Sequence, residues 1–177
     1  MSAKIDGITI GGIEINPEVG ASFSQSYVNR RISTDHYMGD GSIIRQTLAG
    51  TNGKLATRIE GSGWAPLGLE SIDTTVKQVI KCGAPLSISG ASTSITIPTA
   101  RRSDSGYTPL GFAVVNGGIV PTTISMTDDD ATLGAVTGAT SYYVTYVPEI
   151  TAWVDIESQS LDSSDGKYSF VITGIEG

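Results

Sequence analysis

The sequence predicts an all-β fold, a β-barrel or β-sandwich that carries an inserted small β-sandwich of immunoglobulin-like (Ig-like) type. Three observations predict it. The first is composition: Gly (22), Ser (21) and Thr (20) together exceed a third of the 177 residues, charged residues reach only 16%, and the strong helix formers are scarce. The second is period: apolar residues recur at alternate positions in short runs, and Gly, Asn, Asp and Pro punctuate the gaps. The third is apolar content, 39%, enough to build a core in a chain of this length and to exclude a disordered polymer.

Taken in order, Lys4–Ile10 and Gly12–Ile15 flank Gly11-Gly12 as a small hairpin closed by Asn16-Pro17. Ala21–Ile32 alternates weakly. Ser42–Leu48 follows the turn pair Asp40-Gly41, and Lys54–Ser62 follows Gly50-Thr51-Asn52-Gly53, so these two runs are expected to form a hairpin with each other. In the second run Leu55, Thr57 and Ile59 share a face while Lys54, Arg58 and Glu60 point the other way, which predicts one wet face.

Beyond the loop Gly61–Leu69, the run Thr74–Cys82 sets Val76, Gln78, Ile80 and Cys82 against Thr75, Lys77, Val79 and Lys81, a half-buried strand. Ser94–Pro98, Pro109–Asn116, Ile119–Thr127 and Ser141–Val147 read as further strands joined by turns such as Asn116-Gly117-Gly118. The clearest hairpin pairs Glu149–Leu161 with Lys167–Ile175 across Asp162–Gly166, with Ala152, Val154 and Ile156 on one side and Trp153, Asp155 and Glu157 on the other.

A compositional seam divides the chain. Residues 82–148 hold six charges, whereas the other 110 residues hold 23. The contrast suggests a discontinuous parent domain, 1–83 and 149–177, interrupted by an inserted β-rich domain, 84–148, with Pro85 and Pro148 stiffening a two-strand neck. One continuous sandwich with dry middle strands is the alternative.

Net charge is −7, and the excess lies wholly after residue 100, where ten acidic residues face three basic ones. Such a surface repels phosphate backbones, so sequence-specific nucleic-acid binding is not expected, although a wall past which a polyanion slides would tolerate it. The long uncharged runs are broken by Gly and Pro, so no membrane span is expected, and the first residues lack the pattern of a secretory signal.

Candidate chemistry is sparse, and no catalytic, cofactor-binding or metal-binding residue is assigned. His36 is the sole histidine and sits in the polar stretch TDHYMGDG, where a loop or edge role outweighs that of a general base. Cys82 is the sole cysteine, which excludes a disulfide framework and a cysteine-based zinc cluster; it reads as a buried thiol. Asp128-Asp129-Asp130, and Asp162 with Asp165, are dense enough in oxygen ligands to suggest calcium, but turn chemistry explains both more simply. Gly61-Ser62-Gly63 lacks the third glycine and the lysine of nucleotide loops. Arg30-Arg31 and Arg101-Arg102 are either solvated loop pairs or bridges to another subunit. Trp64, Trp153 and Tyr142-Tyr143 with Tyr146 suggest a sugar platform, but alternation prevents the three tyrosines from sharing one surface.

The segment Asp40–Leu69, DGSIIRQTLAGTNGKLATRIEGSGWAPLGL, the strand ending Lys81-Cys82 and the closing TAWVDIESQS…GKYSFVITGIEG together resemble small structural proteins of tailed-bacteriophage tails and baseplates, the tail-tube and distal-tail β-barrel family. That resemblance covers the parent portion on both sides of 84–148. It implies a non-enzymatic virion component, made in the host cytoplasm and without cofactors, that forms a ring of three or six copies around a central channel by inter-subunit β pairing, beside other tail or baseplate proteins. It places the inter-subunit or channel-facing hairpin at residues 43–62 and turns 84–148 outward. The contrasting expectation is a virion or cell-surface module that recognises a glycan through the Tyr-rich 84–148 unit.

Overall fold

The structure is a computed structural model, and it describes residues 7–15, 22–30, 33–47, 53–63, 68–97, 100–164 and 166–177. Its strands are β1 (Ile8–Ile10), β2 (Ile13–Ile15), β3 (Ser22–Arg30), β4 (Ser33–Tyr37), β5 (Ile43–Thr47), β6 (Lys54–Gly63), β7 (Gln78–Lys81) and β8 (Leu86–Gly90). They continue as β9 (Ser94–Thr96), β10 (Leu110–Val115), β11 (Gly118–Thr122), β12 (Ile124–Thr127), β13 (Asp130–Leu133), β14 (Ala139–Tyr146), β15 (Glu149–Leu161) and β16 (Tyr168–Glu176). One 3-10 turn, Leu69–Ser71, is the only helical element among the described residues. The fold is all-β with antiparallel pairing, and among the described residues none of its sheets closes into a barrel.

The chain divides into two compact units, one made of residues 1–17 and 79–150, the other of residues 18–78 and 151–177. The expected inserted segment, 84–148, lies wholly within the first unit, which also takes in the N-terminal hairpin β1–β2 and most of β7.

The first unit contains a small sandwich. A four-stranded sheet in the order β11-β10-β14-β8 faces a three-stranded sheet in the order β12-β13-β9. Between them lie Ile95, Ile97, Ala113, Ala131, Leu133, Tyr142, Val144 and Tyr146, all buried. Alternation along β14 sends Tyr142, Val144 and Tyr146 inward, as its pleat requires. Close packing of the sheets explains Gly111: a Cβ there would stand 2.8 Å from Leu133 Cδ2. The run 119–127, expected as one strand, is two, because the chain leaves one sheet after Thr122 and enters the other at Ile124. Gly134 N donates to Thr123 O at that crossing, 2.8 Å.

The same unit holds the ladder β2-β1-β7, with Ile8, Ile10, Ile15 and Ile80 buried. The strand expected over 74–82 is shorter, Gln78–Lys81. Asp73 accepts bonds from the Thr75 N–H (2.9 Å) and the Thr75 hydroxyl (2.5 Å), and this local turn competes successfully with strand pairing.

In the second unit β15, β16, β6 and β3 run side by side, each antiparallel to its neighbour. The hairpin of β15 and β16 is the one the sequence predicts, with a bulge between Ile156 and Ser158. Ile59, Phe170, Ile172, Ala152 and Val154 bury the inner face, with Leu55 and Thr57 beside them. Thr57 is satisfied there, receiving Gln25 Nε2 at 2.9 Å and donating to Ser26 O at 3.2 Å.

The pairing expected between 42–48 and 54–62 does not form. Residues 43–47 pair instead with β4, which was not expected as a strand, and β6 sits between β16 and β3. The cause is local: Asp40 Oδ1 accepts bonds from the Ser42 N–H (2.9 Å) and hydroxyl (2.7 Å), and Gly41 takes a φ of 82°. Met38 N then bonds Ser42 O at 2.9 Å, so the Asp40-Gly41 turn closes the hairpin upstream of it.

Candidate functional site: an uncovered two-stranded ribbon

Among the described residues the hairpin β4–β5 is a sheet of two strands. Its register sets Asp35 opposite Arg45, His36 opposite Ile44 and Tyr37 opposite Ile43. Successive residues point to opposite faces, yet every described side chain from Thr34 to Gln46 is exposed, so among the described residues neither face is covered. The exposed residues are large and apolar where a solvent-facing ribbon has no use for them: Tyr37 is 76% exposed, Ile43 57%, Ile44 52% and Met38 48%. Two strands without a covering layer are marginal in water. What holds this ribbon is its turn and a two-pronged ion pair, Arg45 Nε to Asp35 Oδ1 at 2.7 Å and Arg45 Nη2 to Asp35 Oδ2 at 3.0 Å. The Arg45 guanidinium holds the Asp35 carboxyl below its usual range.

The segment 43–62, expected as one inter-subunit or channel-facing hairpin, is therefore split between two sheets, and the uncovered ribbon is 33–47. Sequence reasoning found β5 but missed β4, together with Tyr37 and Met38. The signal was weak because STDHY mixes turn formers with a single aromatic residue.

The remaining singled-out residues fall in scattered places. His36 is an exposed strand residue, not a loop residue. Cys82 is fully buried, its N–H donating to Pro148 O at 3.1 Å. Asp128 and Asp129 form the two-residue turn between β12 and β13, with Asp128 at a φ of 51°. Arg101 binds Asp128 O and Asp129, while Asp130 Oδ1 accepts the Thr96 hydroxyl at 2.6 Å. Asp162 caps its own turn through the Ser164 N–H and hydroxyl, at 2.8 and 2.6 Å, which holds its carboxyl low. Asp165, Arg31, Trp64, Gly50-Thr51-Asn52 and Asn16-Pro17 lie outside the described residues. Among the described residues no three side chains of metal-ligating type converge. Gly61 and Gly63 belong to β6, where Gly61 makes room for the Phe170 ring.

Arg102 is not the solvated loop residue of one sequence expectation, because its partners lie within its own chain. It is 6% exposed. Its Nη1 donates to Gly7 O and Cys82 O, both at 2.9 Å, and its Nε to Asp104 Oδ2 at 3.0 Å, while the guanidinium lies 3.8 Å from the Tyr107 ring centre. Lys81 Nζ also reaches Asp104, at 2.9 Å, and these two cations hold the Asp104 carboxyl below its usual range, Lys81 contributing most. Arg102 ties the start of β1, the end of β7 and the 101–107 loop into one network.

The glycan expectation needs tyrosines at a surface. Tyr142 and Tyr146 instead face the sandwich core, Tyr142 accepting the Val136 N–H at 3.1 Å, and only Tyr143 of the three turns outward, half-buried. No helix among the described residues is long and apolar enough to cross a membrane. Comparison with protein-family models, with curated proteins and with solved structures returns no match.

Proposed function

We propose that the chain is a non-enzymatic structural component of a bacteriophage tail or baseplate, one that assembles with copies of itself into a ring around a central channel. The observation that supports this reading is the β4–β5 ribbon, whose exposed apolar residues on both faces call for a covering partner. A strand edge left open in one copy is a template for the next, and head-to-tail pairing that closes on itself is self-limiting. The assignment to a tail rests on the resemblance of 40–69 and the C-terminal hairpin to the tail-tube and distal-tail family. The glycan reading has lost two of its three tyrosines to the core and gains no support from the fold.

The test is the mass and shape of the native particle, measured by light scattering and by negative-stain imaging of the same sample. Rings of three or six copies are expected. Replacing Ile43→Ser together with Ile44→Ser should abolish them while the unfolding temperature stays within a few degrees of the parent, since both residues are exposed. A parent chain that stays monomeric at high concentration overturns the reading.

A further inference from the structure

The outer face of the β15, β16, β6 and β3 sheet is laid out in cross-strand rows of different character. One row is Ser160, Ser169, Ser62 and Ser22, with hydroxyl contacts of 2.6 Å between the first two and 3.3 Å between the last two. Toward the opposite end, Arg58 is held by Glu60 and Glu157, at 2.5 and 2.6 Å. Next comes an apolar row, Trp153 opposite Ile175, Ile175 opposite Ala56, and Ala56 opposite Val28. Trp153 and Val28 stay 49% and 59% exposed. The last row begins with Arg30 opposite Lys54. Lys77 joins the same end, its Nζ 5.8 Å from the Trp153 ring centre and its Cε 2.5 Å from where a Cβ on Gly177 would stand.

Three cations thus gather at one end of one sheet face. Arg45, Arg58, Lys81, Arg101 and Arg102 each bind a carboxylate, whereas Arg30, Lys54 and Lys77 bind none among the described residues. In a chain of net charge −7, copies repel one another everywhere except where opposite signs meet. The three cations cluster at the ends of neighbouring strands, within the reach of a compact acidic turn. The sequence supplies such a turn in Asp128-Asp129-Asp130, exposed at the tip of β12–β13, and no described residue binds the Asp128 carboxylate.

The geometry points to a second contact between copies, in which the Arg30, Lys54 and Lys77 end of this face, with Trp153 as its apolar floor, receives the Asp128-Asp129-Asp130 turn of another copy. The inference rests on the self-assembly proposed above. Its electrostatics orient the copies, while the apolar ribbon holds them. A nucleic-acid strand is the competing occupant, since cations beside an aromatic ring also suit phosphate and base.

The test measures the subunit concentration at half-assembly, by sedimentation velocity, for the parent chain, for Lys54→Glu with Lys77→Glu, for Asp128→Lys with Asp130→Lys, and for all four changes combined. All four positions are exposed, so the variants should fold, and far-ultraviolet circular dichroism of each checks this. Each reversed pair should raise that concentration roughly tenfold, and the combined variant should return to within about threefold of the parent. The aspartate variant discriminates sharply, because it makes the chain less acidic and would assemble better if net repulsion alone ruled. Assembly of that variant at or below the parent's concentration overturns the inference, as does failure of the combined variant to recover. Binding of a fluorescent single-stranded oligonucleotide that disappears in the lysine variant would overturn it in favour of a polyanion. A parent chain that never assembles instead overturns the reading on which the inference stands.

Discussion

The sandwich of the first unit and the β4–β5 ribbon of the second are both built of antiparallel strands and use their apolar residues in opposite ways. In the sandwich, alternate residues of two sheets meet: Leu133 is 3% exposed, Val144 0% and Ile95 5%. In the ribbon, Tyr37 and Ile43 stand opposite each other on one face and Ile44 lies on the other, and all three stay exposed. An apolar residue thus stabilises a single chain only where a second layer faces it; otherwise it is a demand on a partner.

The comparison breaks first in the sandwich. Leu133→Ala should cost about 2–4 kcal/mol of unfolding free energy in a denaturant titration, because the site sits between two sheets with little freedom to collapse. A loss below about 1 kcal/mol would mean the two layers are far less tightly coupled than their interdigitation implies. Arg102→Leu should follow, at about 2–4 kcal/mol, since it strips the Gly7 and Cys82 carbonyls and leaves Asp104 with only Lys81. Thermal unfolding of this variant unchanged from the parent would show that water replaces the guanidinium at no cost.

The smallest effect is expected from acid. Asp104 has its folded-state pKa below the ordinary carboxylate value of 3.8, so its contribution is fully present above that value and is lost as pH falls through the lower folded-state pKa. Asp35 carries the same sign in the ribbon, from Arg45. Unfolding temperature measured from pH 6 down to pH 2 should therefore fall most steeply below about pH 4, and Asp104→Asn should start lower and decline less. An equally steep decline in that variant would take Asp104 out of the account.

Much of the fold was legible because alternation and turn chemistry are local. The β15–β16 hairpin was readable from Ala152, Val154 and Ile156 on one side and the Asp162 turn between its strands, and β1–β2 from Gly11-Gly12. Partner choice was less so. Asp40-Gly41 announces a hairpin without saying which flanking run supplies the other strand, and the polar STDHY concealed β4. Short strands such as Leu86–Gly90 and Asp130–Leu133 carry too few apolar residues to stand out, since the layer opposite supplies the rest of their burial. The role of Arg102 was hidden for a different reason: two of its partners, the Gly7 and Cys82 carbonyls, lie 95 and 20 positions away. The candidate site was legible at β5 alone, because exposure on both faces is a tertiary property that no period can encode.

The burial of Cys82 has a practical consequence. It is the chain's sole thiol, it is fully covered, and its backbone is pinned on one side by Pro148 and on the other by Arg102. A thiol-specific dye can therefore react only when the first unit opens, so its rate of uptake is a clock for that opening. Changes in the Arg102 network should make the clock run fast, and changes confined to the ribbon should leave its pace unaltered.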